Sequence, residues 1–162
     1  MRLLAAAVAM LALTWSISSA ADDTATKQVV FVCEHGNVKS LMAASYFNQL
    51  VAQRRLPFRA ISRGTAPDST TVPAPIVAGL QTDGVDVSGF RPAAVDSVDV
   101  ANAVRVVAIS TELPSNVRID APQVEQWNDV PAASSDYAAA RAALKAHVAE
   151  LIERLQHSEQ PN

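Results

Sequence analysis

The chain has 162 residues, of which 49% are hydrophobic, and its formal net charge at pH 7 is −3. This length and composition predict a single small α/β domain. An acidic chain without a basic cluster is a poor candidate for nucleic-acid binding. Beyond the N-terminus no segment approaches membrane-spanning length, and no set of side chains has the spacing of metal ligands. We therefore expect neither a metal site nor a cofactor.

The N-terminus has the features of a secretory signal peptide. It combines a basic start at Arg2, an apolar and Ala-rich stretch at 3–13, and small residues at 18–21 that suit cleavage. We predict a signal peptide at 1–21 and a mature domain at 22–162, in a periplasmic or secreted protein that is free of the membrane after cleavage. An uncleaved N-terminal anchor is the alternative.

A strand, a short loop and a helix are predicted around the only cysteine. The strand covers 29–32, because four apolar residues, three of them Val, suit a sheet that is covered on both faces. It ends at Cys33, and a polar turn with Gly36 leads to a helix at 38–54. Loop N–H groups and the helix dipole at such a junction bind oxyanions and favour a thiolate. Together with the charge of Lys39, this pattern indicates a thiolate nucleophile in a phosphate-sized cradle.

Five residues separate Cys33 from Lys39, and Ser40 comes next. This spacing resembles the Cys-x5-Arg-Ser loop of the low-molecular-weight protein tyrosine phosphatases and of the arsenate reductases that share their fold. The resemblance implies that Cys33 attacks phosphorus, that Lys39 occupies the Arg position, and that Ser40 supports the thiolate. The residues implied to hold the phosphate oxygens are Glu34, His35, Gly36, Asn37, Val38, Lys39 and Ser40.

Lys39 is also the main departure from the family pattern. Arg binds two oxygens at once through a planar fork, whereas Lys is a point charge. Losing one contact aimed at the transition state raises the barrier by about 3–4 kcal/mol, which is roughly a hundred- to a thousandfold in rate. Lys39 therefore supports anion binding and argues against fast phosphoryl transfer. Without this context, Cys33 would be interpreted as a small core residue at a strand end.

The middle of the chain predicts alternating strands and helices. We expect a half-buried or edge strand at 58–62, a helix at 73–82, a weak helix at 93–101 and a central strand at 104–110. Strands and helices repeated in this way favour right-handed crossovers and a parallel sheet. Arg63, after the first of these strands, is expected to face solvent.

The family resemblance extends over about 28–155. Ser62-Arg63-Gly64-Thr65 is similar to the Ser-Ala-Gly-Thr turn after the family's second strand, and the loop at 110–114 is implied to lie beside the active site. The implied fold is a three-layer α/β sandwich with a four-stranded, mainly parallel sheet. Its ligand site is expected at the C-terminal end of the first strand, where such sheets bind ligands.

The C-terminal third predicts a short strand at 124–127 and a long helix at 135–156. Between them the family carries its general acid, an Asp before a Pro. A phosphatase needs this acid to protonate the leaving oxygen and then to activate water. Asp129 is the better candidate, although one residue separates it from Pro131. Asp136 is the second candidate, and its alternative role is N-terminal capping of the helix.

The histidines show no ligand spacing with each other or with Cys33. We expect His147 and His157 at the surface. His35 differs because it lies inside the loop, where it could steady the thiolate or contact substrate.

Three functions remain open. The first is an exported phosphomonoesterase that acts through a cysteinyl phosphate. The second is an arsenate reductase, for which a chain with one cysteine needs a thiol from a small molecule or a partner. The third is a non-catalytic oxyanion-binding pseudophosphatase. The expected ligand is a phosphate monoester or another oxyanion, and the substrate and the oligomeric state stay open.

Overall fold

The computed structural model describes residues 25–117 and 124–158. The predicted signal peptide therefore lies outside the described residues. Within the described residues, no helix has the length and apolar character needed to cross a membrane. The elements, in chain order, are β1 (Lys27–Cys33), α1 (Lys39–Arg54), β2 (Phe58–Gly64), α2 (Ala74–Thr82), α3 (Ser97–Ala101), β3 (Ala103–Ile109), a 3₁₀ turn (Ser115–Val117), β4 (Val124–Trp127) and α4 (Tyr137–Ser158).

The described strands form one sheet in the order β2-β1-β3-β4, and every neighbouring pair is parallel. This confirms the predicted parallel α/β architecture, with β1 and β3 in the centre and β2 at an edge. Because the strands are parallel, the loops that follow β1, β3 and β4 all leave from the same edge of the sheet. The residues after these strands can therefore meet at one site.

Alternate residues of β1 pack on opposite faces of the sheet. Val29 and Phe31 belong to the core shared with α1 and α4, and Val30 and Val32 pack with Val100 of α3 on the other face. All four β1 residues are 0% exposed. Burying each of these side chains contributes about 1.5–3 kcal/mol. The strand that carries Cys33 is thus firmly fixed on both faces.

The predicted helix at 93–101 is wrong over its first half. Gly64 donates its N–H to the carbonyl of Ala93 and accepts from the N–H of Val95, both at 2.9 Å. The edge of β2 therefore supplies hydrogen-bond partners to the backbone of Ala93 and Val95, which is extended and not helical. The helix begins only after Asp96, whose carboxylate accepts the N–H of Asp99 at 2.7 Å as an N-cap.

Arg63 does not face solvent freely, in contrast to the expectation. Its guanidinium donates to both carboxylate oxygens of Asp99, at 2.6 and 2.9 Å. A two-point contact of this kind is charge-assisted and geometrically specific. Arg63 therefore anchors α3 against β2 and takes no part in the cavity described below.

A buried carboxylate joins the helical layer on the α1 side. Asp83 follows α2 and accepts hydrogen bonds from Arg141 of α4 and, at 2.9 Å, from the hydroxyl of Tyr46 of α1. The hydrogen bonds from Arg141 lower the pKa of Asp83 to about 2. Burial raises the pKa of Tyr46, which stays a neutral donor. The carboxylate of Asp83 thus links the end of α2 to α1 and α4.

Candidate active site

Cys33 lies at the C-terminal end of β1 and is 6% exposed. Its Sγ lies 2.9 Å from Oγ of Ser40, in the first turn of α1, and accepts the N–H of Gly36 at 3.3 Å. Gly36 has a φ of 74°, the left-handed region that glycine enters at little cost. The loop therefore folds back around the sulfur, as the sequence predicts, and directs the N–H of Gly36 at it.

A second serine extends this contact into the sheet. Oγ of Ser62, on β2, lies 2.8 Å from Oγ of Ser40 and 3.0 Å from the carbonyl oxygen of Gly36. Ser40 is 0% exposed and Ser62 is 4% exposed. Ser62 is a site residue that the sequence reasoning did not assign, although the Ser-x-Gly-Thr similarity pointed to its segment. It braces both the loop and the serine that contacts the sulfur.

Asn37 supports the loop from the outside. Its side-chain amide donates to the carbonyl of Thr71 at 2.8 Å, and the residue is 4% exposed. Asn37 thus ties the cradle to the segment between β2 and α2. Its role is to support the loop, because it does not line the cavity that contains Cys33.

Lys39 connects three loops at this edge of the sheet. Its Nζ donates to Oγ of Ser110, which follows β3, and to the carbonyl oxygen of Val130, which follows β4, both at 2.9 Å. The loop after β3 therefore lies beside the cradle, as the resemblance implied. These two partners are 71 and 91 residues away in sequence.

A cavity of about 390 Å³ opens over the sulfur, and we call it the thiol cavity. Predicted site residues contribute one wall, and the loops after β3 and β4 contribute the other. Gly36, Asn37 and Ser40 are buried behind the cradle. The lining residues are Cys33, Glu34, His35, Val38, Lys39, Ile109, Ser110, Ala132, Ala133 and Ser134.

A histidine and two carboxylates lie together at the rim of the thiol cavity. Nδ1 of His35 lies 3.1 Å from a carboxylate oxygen of Asp68, and Nε2 lies 3.8 Å from a carboxylate oxygen of Glu34. The side chain of His35 is 44% exposed, and that of each acid is 68% exposed. His35 therefore lies at the mouth, where it can meet a ligand.

Asp129 lies outside the lining of the thiol cavity. Its carboxylate oxygens lie 2.9 and 3.0 Å from Nε2 of His147 on α4. The ring of His147 stacks on Trp127, with centroids 4.8 Å apart and an angle of 18°. His147 thus lies at the surface as expected, with its side chain 25% exposed, and its contacts with Trp127 and Asp129 are ones that the sequence did not indicate.

Asp136 and His157 have the simpler roles that the sequence allowed. Asp136 accepts the N–H of Ala139 at 2.9 Å in the first turn of α4, which is the capping role. It does not line the thiol cavity. His157 is exposed and contacts the carbonyl of Glu153, so its expected surface position is confirmed.

Two further features fall outside the thiol cavity. A larger groove of about 680 Å³ lies between α1 and β2 and does not include Cys33. Within the two described ranges, no group of three or more His, Cys, Asp or Glu side chains could hold a metal ion.

A known family model covers this architecture and its cysteine loop. The model for the low molecular weight phosphotyrosine protein phosphatases matches residues 28–160. The chain belongs to this family. A comparison with curated protein sequences gives no significant match. The family binds phosphate and related oxyanions, which agrees with the N–H of Gly36 at the sulfur and with Lys39 in the lining of the thiol cavity.

Solved structures share the fold of this family member at low sequence identity. YfkJ from Bacillus subtilis is 18% identical with a TM-score of 0.76, and the match covers 85% of this chain and 99% of that chain. The thioredoxin-dependent arsenate reductase Cg_ArsC1' of Corynebacterium glutamicum is 16% identical with a TM-score of 0.70, over 85% and 65% of the two chains. The low molecular weight protein tyrosine phosphatase of T. tengcongensis is 20% identical with a TM-score of 0.65, over 79% and 99%.

Proposed function

We propose that the protein is an exported phosphomonoesterase that acts through a cysteinyl phosphate on Cys33. The observation that carries this proposal is the position of Sγ, which is held by Ser40 and by the N–H of Gly36 at the floor of the thiol cavity. Donors that are already fixed around a reacting centre stabilise developing charge without reorganisation. This arrangement suits an anionic phosphoryl group.

The proposed reaction has two displacements at phosphorus. The thiolate of Cys33 attacks phosphorus, an S–P bond forms, and the P–O bond to the leaving alcohol breaks. The leaving oxygen takes a proton from a general acid. Water then gives a proton to the carboxylate that the acid has become and attacks phosphorus, the S–P bond breaks, and phosphate leaves with the thiolate and the protonated acid restored. The atoms balance without any oxidant, reductant or cofactor.

The proposed acid is Asp129. Its carboxylate contacts His147 in this structure, so it has to leave His147 to protonate a leaving group in the thiol cavity. The segment that follows Asp129 supports this proposal, because Ala132, Ala133 and Ser134 already line the cavity.

A second candidate function is an oxyanion-binding pseudophosphatase. Two of the three donors of the Lys39 ammonium are already used by Ser110 and Val130, and Asp129 is turned toward α4. These observations favour a site that binds an oxyanion and turns it over slowly or not at all.

Export is the part of the proposal that rests on the sequence alone. The basic, apolar and small-residue segments of 1–21 support it. The test is the mass of the protein recovered from the periplasm of an expressing bacterium. A chain that begins after position 20 or 21 supports export, and a full-length chain that stays in the cytoplasm overturns it.

The catalytic proposal is tested by hydrolysis of an aryl phosphate by the reduced protein. We expect slow turnover that disappears in Cys33→Ser and rises in Lys39→Arg, because the guanidinium fork restores a second contact. Ser88→Ala is the control, since this serine is exposed and lies outside the thiol cavity. Inorganic phosphate that binds without any turnover in the parent overturns the phosphatase and supports the pseudophosphatase. Arsenate consumption that depends on an added thiol would instead identify a reductase.

A further inference from the structure

We propose that Ser110 is a positioning residue that fixes Lys39 for oxyanion binding. The inference rests on the proposed function of the thiol cavity. Its starting point is the pair of hydrogen bonds, each 2.9 Å long, from Nζ of Lys39 to Oγ of Ser110 and to the carbonyl oxygen of Val130. Ser110 lines the thiol cavity on the loop after β3, and Val130 is buried on the loop after β4.

The two contacts define where the ammonium group can point. A lysine ammonium has three N–H donors and no acceptor. When two of these N–H bonds point at Ser110 and Val130, the tetrahedral geometry of the ammonium fixes the direction of the third. The residue itself lines the thiol cavity, so this donor is available to an oxygen of a bound anion.

A lysine needs such external fixing more than an arginine does. Its charge is carried on a flexible four-carbon stem, whereas the donors of arginine form a rigid fork. Holding the stem in place before binding removes the entropic cost of ordering it when the anion arrives. Ser110 therefore compensates in part for the lysine that stands at the arginine position of this family's loop.

The backbone of Ser110 has an uncommon conformation. Its φ is 50°, in the left-handed region that residues with a Cβ seldom adopt. Its N–H donates to the carbonyl of Trp127 at 3.1 Å, so the end of the β3–β4 pair holds the residue there. Strained residues of this kind persist only where the surroundings enforce them, and they cluster at functional sites.

The experiment measures the dissociation constant of inorganic phosphate by calorimetry on the purified, reduced protein. Ser110→Ala removes only the hydroxyl, and we expect it to weaken phosphate binding by roughly three- to tenfold. Thr111→Ala is the matched control, because it removes the next hydroxyl, which lies 3.3 Å from Oγ1 of Thr65 and has no contact with Lys39. We expect this control to change binding by less than about twofold.

A double-mutant cycle separates positioning from general damage to the loop. Lys39→Met removes the charge at a similar side-chain length, and in this background Ser110→Ala should change phosphate affinity by less than about twofold. An equal loss in both backgrounds would overturn the proposal, because the hydroxyl would then act without Lys39. Tighter phosphate binding by Ser110→Ala would also overturn it, since the hydrogen bond to Ser110 would then compete with phosphate for the ammonium of Lys39.

The readout keeps this inference distinct from the phosphatase proposal. A parent that binds phosphate, loses affinity in Ser110→Ala and hydrolyses nothing supports the positioning role and overturns the phosphatase. If the parent hydrolyses aryl phosphates and Ser110→Ala binds phosphate as tightly as the parent does, the phosphatase is supported and the role of Ser110 is overturned.

Discussion

A Cβ atom on Gly36 would lie 2.6 Å from the backbone nitrogen of Gly64, so the cysteine loop and the edge strand β2 touch through bare backbone. In the reverse direction, a Cβ on Gly64 would lie 2.8 Å from the carbonyl carbon of His35. Real Cβ atoms do not approach backbone this closely. The shape of the cradle therefore depends on two glycines that are distant in sequence.

The first prediction concerns this contact. Gly64→Ala should push the loop away from β2, lower the free energy of unfolding by about 1–3 kcal/mol, and weaken phosphate binding. Gly89→Ala is the control, because nothing lies within 4 Å of the Cβ it would add. Chemical denaturation and phosphate calorimetry on both variants test the prediction. If both variants have the same stability and phosphate affinity, the loop does not depend on the close contact between Gly36 and Gly64.

The second prediction concerns stability at acid pH. Hydrogen bonds from Arg141 lower the pKa of Asp83 from 3.8 to about 2, so the unfolded chain takes up this proton first as the pH falls. The stabilisation is complete above pH 3.8 and is lost as the pH falls toward 2. Asp83→Asn should remove this part of the pH dependence.

The same substitution should lower the free energy of unfolding at neutral pH by about 2–3 kcal/mol, because Arg141 loses its charged partner. Glu153→Gln is the control, since it neutralises an exposed carboxylate on the same helix that Asp83 joins. Urea titrations between pH 2 and 7 give both quantities. If the free energy of unfolding of Asp83→Asn still falls below pH 3.8 as it does in the parent, Asp83 is not the source of this pH dependence.

The third prediction separates the two candidate acids. Asp129→Asn should lower kcat at least about a hundredfold if Asp129 is the general acid, with a small effect on stability because its side chain is 71% exposed. Asp136→Ala should leave kcat unchanged and cost about 1 kcal/mol of stability through loss of the helix cap. The opposite pattern would move the acid to Asp136.

The fourth prediction concerns the contact between His147 and Asp129. His147→Phe keeps a ring against Trp127 and removes the nitrogen that contacts the carboxylate, so it should free Asp129 and raise kcat by roughly two- to tenfold. The rise should be absent when Asp129→Asn is also present. A fall in kcat would show that His147 holds Asp129 in its working position.

The local parts of the fold could be predicted from the sequence, and the contacts across the site could not. The buried strand before Cys33, the loop and α1 follow from neighbouring residues, because burial and helix periodicity are local patterns. The contacts of Lys39 with Ser110 and Val130 join segments 71 and 91 residues apart. No spacing rule reaches across three strands, so these contacts appear only once the sheet order is known.

The wrong helix and the unforeseen contacts of His147 have the same physical origin. Ala93 was expected in a helix by its local pattern, but the free edge of β2 offered its backbone better partners. The contacts of His147 also escape local patterns, because its partners, Trp127 and Asp129, reach it only after β4 and α4 pack. In both cases tertiary contacts decided the outcome.

Nucleophilic attack by Cys33 on phosphorus is tested by trapping the covalent intermediate. The reduced protein is mixed with an aryl phosphate labelled at phosphorus, quenched within the first turnover, and digested for peptide mapping. We expect label on the peptide that contains Cys33, no label in Cys33→Ser, and a longer-lived label in Asp129→Asn. Hydrolysis that proceeds without label on Cys33, or with label on another residue, would contradict it.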